Sequence, residues 1–212
     1  MKKQIRIDIV PILFCLLYCI YIYYFNLYLK SHGLLISIRE ITTSNIFKKV
    51  FADLGLIIFP YCFIFAESKR YLNIKCSFKL GNVRFLIFLA CIYILLFFIK
   101  DDYSVKGVYI FIFYLIVIAF TEELLIRGYL FTTLNLSLNF WPAAIISGAI
   151  WGIMHVPLRA VLHNYMLADW ISAILSEISG GALAGAGFAY LLLKGNTIFI
   201  PIIFHAILDY SK

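Results

Sequence analysis

The feature that most constrains this chain is the grouping of its apolar residues into long blocks. Seven can be drawn, at about 7–29, 47–66, 83–99, 107–134, 140–160, 170–193 and 196–210. A helix rises 1.5 Å per residue, so roughly 20 residues cross the ~30 Å hydrocarbon core of a bilayer. The Ile, Leu, Phe and Tyr in these blocks are not laid out as amphipathic stripes against polar faces. With 64% of residues hydrophobic and 14% charged, the chain falls well below the roughly one quarter charged of an ordinary soluble domain. The expected fold is all-α, a polytopic transmembrane helical bundle of about seven membrane segments.

The start, MKKQIRIDIVPILFCLLYCIYIYYFNLYLK, has the basic residues of a secretory signal. Its apolar part is too long for one, and no small-x-small cleavage site follows, so it reads as a retained first membrane helix. The C-terminal LDYSK is not itself a prenylation box. Basic residues at the N-terminus and in ESKRYLNIKCSFKLGNVR place both on the cytoplasmic side by the positive-inside tendency, although the first loop is basic as well. A net charge of +7 is accounted for by such loops. No cluster of basic residues with exposed aromatics points to nucleic acid. The five cysteines form no CxxC pair; Cys15 and Cys19 share a helix face but lack nearby histidines, and they read as small apolar fillers. Without a linker, repeat or low-complexity tract, residues 1–212 form a single membrane domain. In it, 1–105 supply helices of structural role with almost no buried polar groups, and 106–212 form a catalytic core.

Polar residues that are hard to reconcile with a membrane come after residue 120. AFTEELLIRGYLF follows a long apolar run, and in it Glu122, Glu123 and Arg127 lie at i, i+1 and i+5. At 100° per residue Glu123 and Arg127 share a helix face one turn apart, where carboxylate and guanidinium can pair. Glu122 points to an adjacent face with no local cation. Each charge near a helix centre costs roughly 2.5–3.5 kcal/mol on insertion scales, so three unpaired charges need a compensating environment. On this segment alone, a helix end meeting headgroups would explain them equally well.

Two further segments favour chemistry. ISGAIWGIMHVP places His155 in an apolar helix with Trp151 and Ser147 behind it at four-residue steps, and IPIIFHAILDYS places His205 and Asp209 at i and i+4. A lone core histidine is usually structural. Here three membrane segments each supply acid or imidazole groups, and such residues face a bundle interior or wet cavity and pair with one another.

These residues carry a family resemblance. EELLIR resembles the EExxxR motif of the intramembrane glutamic endopeptidases, the CAAX-processing and bacteriocin-processing (CPBP or Abi) enzymes. WGIMH resembles their FxxxH with Trp for Phe, and HAILD their HxxxN with Asp for Asn. The three occur in the family's order over roughly 90 residues. The resemblance implies an endopeptidase acting on a membrane-associated peptide or protein. Glu122 would be the general base for a water positioned with His155. His205 and Asp209 would orient that water or stabilise the oxyanion, and Glu123 with Arg127 would hold the geometry. Trp151 is expected to pack behind His155. Because an ionised Asp only accepts hydrogen bonds, Asp209 must be protonated, orient the His205 ring, or help bind a cation. Zn²⁺ suits Glu, His and Asp ligands, but no HExxH is present, and a metal-independent water with no cofactor is the expectation. Assembly requires the helix of His155 to continue past Pro157 towards residue 165; ending at Val156 would leave His155 and Glu122 at different depths.

Rival readings are a serine protease using Ser179 with His205, a proton-coupled carrier, and a non-enzymatic bacteriocin-immunity or partner-binding membrane protein. The serine route lacks the Gly two positions before Ser179, where Glu177 stands, and SEISGGALAGAG reads better as a small-residue face for close helix packing. Glu177 is a further membrane carboxylate. The Ile, Lys, Asn and Tyr bias suggests a low-GC bacterium, and with it a multi-pass protein of the bacterial plasma membrane whose partners are the lipid bilayer and a peptide or protein substrate. His32 and His163 fall in expected loops.

Overall fold

A computed structural model describes residues 8–67 and 78–212. The described residues form seven principal helices: α1 Val10–Ser31, α2 Ile46–Glu67, α3 Val83–Lys100, α4 Val105–Ser137, α5 Phe140–His163, α6 Leu167–Gly195 and α7 Phe199–Tyr210. Six of the described helices are long and apolar enough to cross a membrane. The seventh, α7, has twelve residues and spans only about 18 Å. The orientation expectation rests partly on residues 1–7 and 68–77, which lie outside the described residues.

Local sequence sets several of the helix ends. Asn82 caps α3 by accepting from the Phe85 N–H, and Ser104 caps α4 by accepting from the Gly107 N–H. Asp101, Asn164 and Asn196, all at positive φ, close α3, α5 and α6. The expected fourth segment, 107–134, lengthens to 33 residues, about 50 Å of helix. It is not uniform: Phe113–Phe120 and Leu124–Phe131 are wound as π-helix on either side of the short α-helical stretch Thr121–Glu123. Wider turns of this kind change which side chains share a face, and they concentrate at functional sites.

Helix α4 runs through the middle of the bundle, and every residue from Glu123 to Phe131 is buried. Against it pack α1, α2, α5, α6 and α7, whereas α3 turns Phe88, Leu95, Phe98 and Ile99 outward as a lipid-facing helix would. The tightest pair is α5 with α6. Gly148 and Gly152 on one helix meet Gly181 and Gly185 on the other so closely that a Cβ at Gly181 would lie 2.7 Å from the Gly152 backbone. The small-residue face of α6 thus serves helix approach.

Helix α5 is interrupted but not ended at its proline. The run Phe140–Met154 gives way to a turn at His155 and resumes as Val156–His163. Pro157 has no N–H to continue the ladder, so the break falls just before it. His163 is therefore the last helical residue of α5, where a loop was expected.

The first three helices hold more buried polarity than expected. Asn26 is buried on α1, with its amide donating to Ile22 O at 2.8 Å. On α2, Lys49 and Asp53 are buried as an ion pair; Tyr109 of α4 donates to Asp53, and Lys49 lies 4.7 Å over the Phe113 ring. Lys49 belongs to the basic stretch that follows the first apolar block, and nothing in that stretch signals its burial. What buries it is the start of α4 packing across the first turns of α2.

Candidate active site

Helices α4, α5 and α7 bring their acids and imidazoles to one place. Glu122, whose side chain is 19% exposed, faces a cavity of about 680 Å³, and Glu123 next to it is fully buried. The two carboxylates therefore occupy different environments. Glu123 Oε1 accepts from Arg127 Nη1 at 3.1 Å, one turn along the helix, and from His205 Nδ1 at 2.9 Å. Arg127 is completely buried, its guanidinium 4.5 Å from the Trp151 ring centre and 4.8 Å from that of Phe188. An ion pair and two aromatic faces stabilise this cation where water cannot.

Three side chains converge on a single oxygen of Glu122. Trp151 Nε1 donates to Oε2 at 2.5 Å, His155 Nε2 stands 3.7 Å from it, and His205 Nε2 stands 4.0 Å from it. The last two separations exceed a direct hydrogen bond and suit a bridging water. His155 Nδ1 lies 2.9 Å from Trp151 O. A carbonyl only accepts, so Nδ1 carries the proton, and in the neutral ring Nε2 offers a lone pair to the cavity. Glu122 Oε2 and His155 Nε2 are then two acceptors facing one gap.

His205 is held from both sides. Its Nδ1 meets Glu123, and its Nε2 lies 3.3 Å from Asp209 Oδ2. The other Asp209 oxygen accepts from Lys212 Nζ at 2.8 Å. Asp209 thus sits between the His205 ring and Lys212. Among the described residues, no group of three or more His, Cys, Asp or Glu side chains is arranged to hold one metal ion.

All six residues singled out in the sequence, Glu122, Glu123, Arg127, His155, His205 and Asp209, thus belong to one connected cluster. Trp151 departs from its expected place: it does not merely pack behind His155 but bonds the Glu122 carboxylate and stacks on Arg127 and, at 5.6 Å edge to face, on His205. Phe188 was missed, although it follows Gly181 and Gly185 on the face that α6 turns to its neighbours. Tyr18, Asn26 and Leu56 of the N-terminal helices line the same cavity. Ser179, by contrast, is exposed and bonds Ser176 O of its own helix. Glu177 pairs with Arg159 at 2.5 Å, away from Glu122.

A multi-pass helical membrane protein with an acid–base cluster enclosed by its C-terminal helices is the class that fold and cluster define. Residues 104–211, about half the chain and including all six cluster residues, match the family model for the type II CAAX prenyl endopeptidase Rce1-like family, and the chain belongs to that family. Membership supports a CAAX-protease-type hydrolase working in a lipid environment on membrane protein or peptide substrates. No curated protein and no solved structure matches the chain.

Proposed function

We propose that the protein is a glutamic intramembrane endopeptidase in which Glu122 activates the attacking water. The observation that carries this reading is the convergence of Trp151, His155 and His205 on Glu122 Oε2. A water in that gap donates one O–H to Glu122 and the other to His155 Nε2, leaving its lone pair for a scissile carbonyl carbon. Glu122 takes the proton as the C–O bond forms, then returns it to the departing amine nitrogen. Trp151 holds the carboxylate's rotamer, and the Arg127–Glu123–His205 chain fixes the imidazole beside it. Pre-aimed groups of this kind act most strongly where water is scarce.

The cavity is lined mainly by apolar side chains, which suits a membrane-associated peptide or protein segment with an apolar residue or chain beside the cleaved bond. The bias towards Ile, Lys, Asn and Tyr favours a bacterial plasma membrane, with a bacteriocin leader, a signalling peptide or a membrane-protein partner as substrate. Zn²⁺ enters no step of this reading.

The test is hydrolysis by the purified full chain in detergent of a peptide panel, prenylated and unmodified, with products identified by mass spectrometry and with 1,10-phenanthroline in parallel. Internal cleavage that survives the chelator is expected. Folded protein that cleaves no member of the panel, or cleavage lost to chelator and restored by Zn²⁺, contradicts the proposal.

A further inference from the structure

The cluster does not end at Asp209. Its contacts run continuously from Arg127 through Glu123 and His205 to Asp209 and Lys212, with a fixed cation at each end. Asp209 and Lys212 both line the cavity that Glu122, His155 and His205 face. At the near end of this chain Arg127 answers Glu123. At the far end Lys212 is the only lysine or arginine that contacts Asp209 among the described residues.

The arrangement around His205 Nε2 explains why that cation matters. Two carboxylates share this edge of the ring, Asp209 Oδ2 at 3.3 Å and Glu122 Oε2 at 4.0 Å. One N–H cannot serve both. An Asp209 carrying its full charge would draw the ring edge to itself and away from the Glu122 side. Lys212 takes the opposite oxygen of Asp209 at 2.8 Å, spreading the charge and holding the carboxylate by a second, charge-assisted bond.

Resting on the reading of Glu122 as general base, we propose that Lys212 is a positioning residue of this site: by holding Asp209 it sets the His205 ring in the orientation that faces Glu122. Lys212 itself transfers no proton and touches no reacting atom. Its ammonium is solvent-exposed, so its influence on the pair is that of an exposed ion pair, a modest factor.

The experiment compares the parent with Lys212→Gln, Lys212→Arg, Asp209→Asn and the Lys212→Gln/Asp209→Asn double variant, all as full chains in detergent. Lys212→Gln is expected to lower kcat about fivefold with little change in KM or melting temperature, and Lys212→Arg to restore most of it. In the Asp209→Asn background, Lys212→Gln is expected to change nothing, because no carboxylate is left to hold. No effect of Lys212→Gln, an equal loss in both backgrounds, or a change confined to KM overturns the proposal.

A second readout needs no turnover. The ¹⁵N resonances of the His205 ring, assigned by comparison with His205→Gln, should shift in Lys212→Gln and stay unmoved when Lys212→Gln is added to Asp209→Asn. Unshifted resonances in Lys212→Gln overturn the proposal. Retained cleavage in a Glu122→Gln variant would refute the general-base reading instead, and the resonances would still report whether Lys212 governs the ring.

Discussion

Replacing Arg127 by methionine isolates the energetics that hold the cluster together. The side chains of Arg127 and Glu123 are both wholly inaccessible to solvent, 3.1 Å apart, and Arg127 also lies against the rings of Trp151 and Phe188. Methionine keeps much of the volume and the apolar contact with those rings. It strands the Glu123 carboxylate with His205 as its remaining partner. Breaking one side of a buried ion pair costs roughly 3–5 kcal/mol. For a chain of this size each kcal/mol lowers the melting temperature by roughly 2–4 °C, so a fall of about 10 °C is expected. The cysteines supply the assay. Cys15 and Cys19 are buried while Cys62 and Cys91 are exposed, so in a Cys62→Ser/Cys76→Ser/Cys91→Ser background a thiol-reactive dye reports opening of the core at α1. Adding Glu123→Gln to Arg127→Met removes the stranded charge and should recover part of the loss. A melting temperature for Arg127→Met within about 2 °C of the parent, or a double variant no more stable than the single one, would refute the attribution to buried charge.

Other perturbations probe different parts of the fold. Trp151→Phe keeps a ring face on Arg127 but removes the indole donor to Glu122; loss of a hydrogen bond to a charged group, roughly 1.5–3 kcal/mol, predicts cleavage at least about tenfold slower in a peptide assay, with thermal stability nearly intact. Gly181→Val places methyl groups where the α5 backbone at Gly152 already lies, so overpacking of roughly 1–3 kcal/mol or more should appear as a lower melting temperature and a smaller monodisperse fraction on size exclusion. Asp53→Asn leaves Lys49 buried without its counter-charge. It should lower the melting temperature by several degrees, while the folded fraction cleaves at the parental rate, because neither residue lines the cavity.

Much of this site was legible because its pairings are local. Glu123 with Arg127 and His205 with Asp209 are each one helical turn apart, and a 3.6-residue period sets them on common faces before any tertiary structure is known. The continuation of α5 beyond Pro157 was legible as a requirement, since His155 could not otherwise reach the depth of Glu122. What escaped depends on how separate helices are rotated against one another. The Trp151 indole finds Glu122 because α4 and α5 pack with those faces opposed, and one sequence carries no signal for that angle. The π-wound stretches around Thr121–Glu123 were hidden for a related reason: hydrophobic pattern fixes a period only when one face is polar, and FYLIVIAF is apolar all round. The buried pair Lys49–Asp53 was not legible because a charge at a helix start reads as interfacial until a neighbouring helix covers it.

The most direct test of a Glu122-activated water is the single-turnover cleavage rate of Glu122→Gln beside the parent, both verified as folded by the same melting assay. Glutamine keeps the side chain's shape but cannot take the proton, so a rate lower by roughly 10²–10⁴-fold is predicted. A rate within about threefold of the parent, in protein that melts normally, would contradict the account.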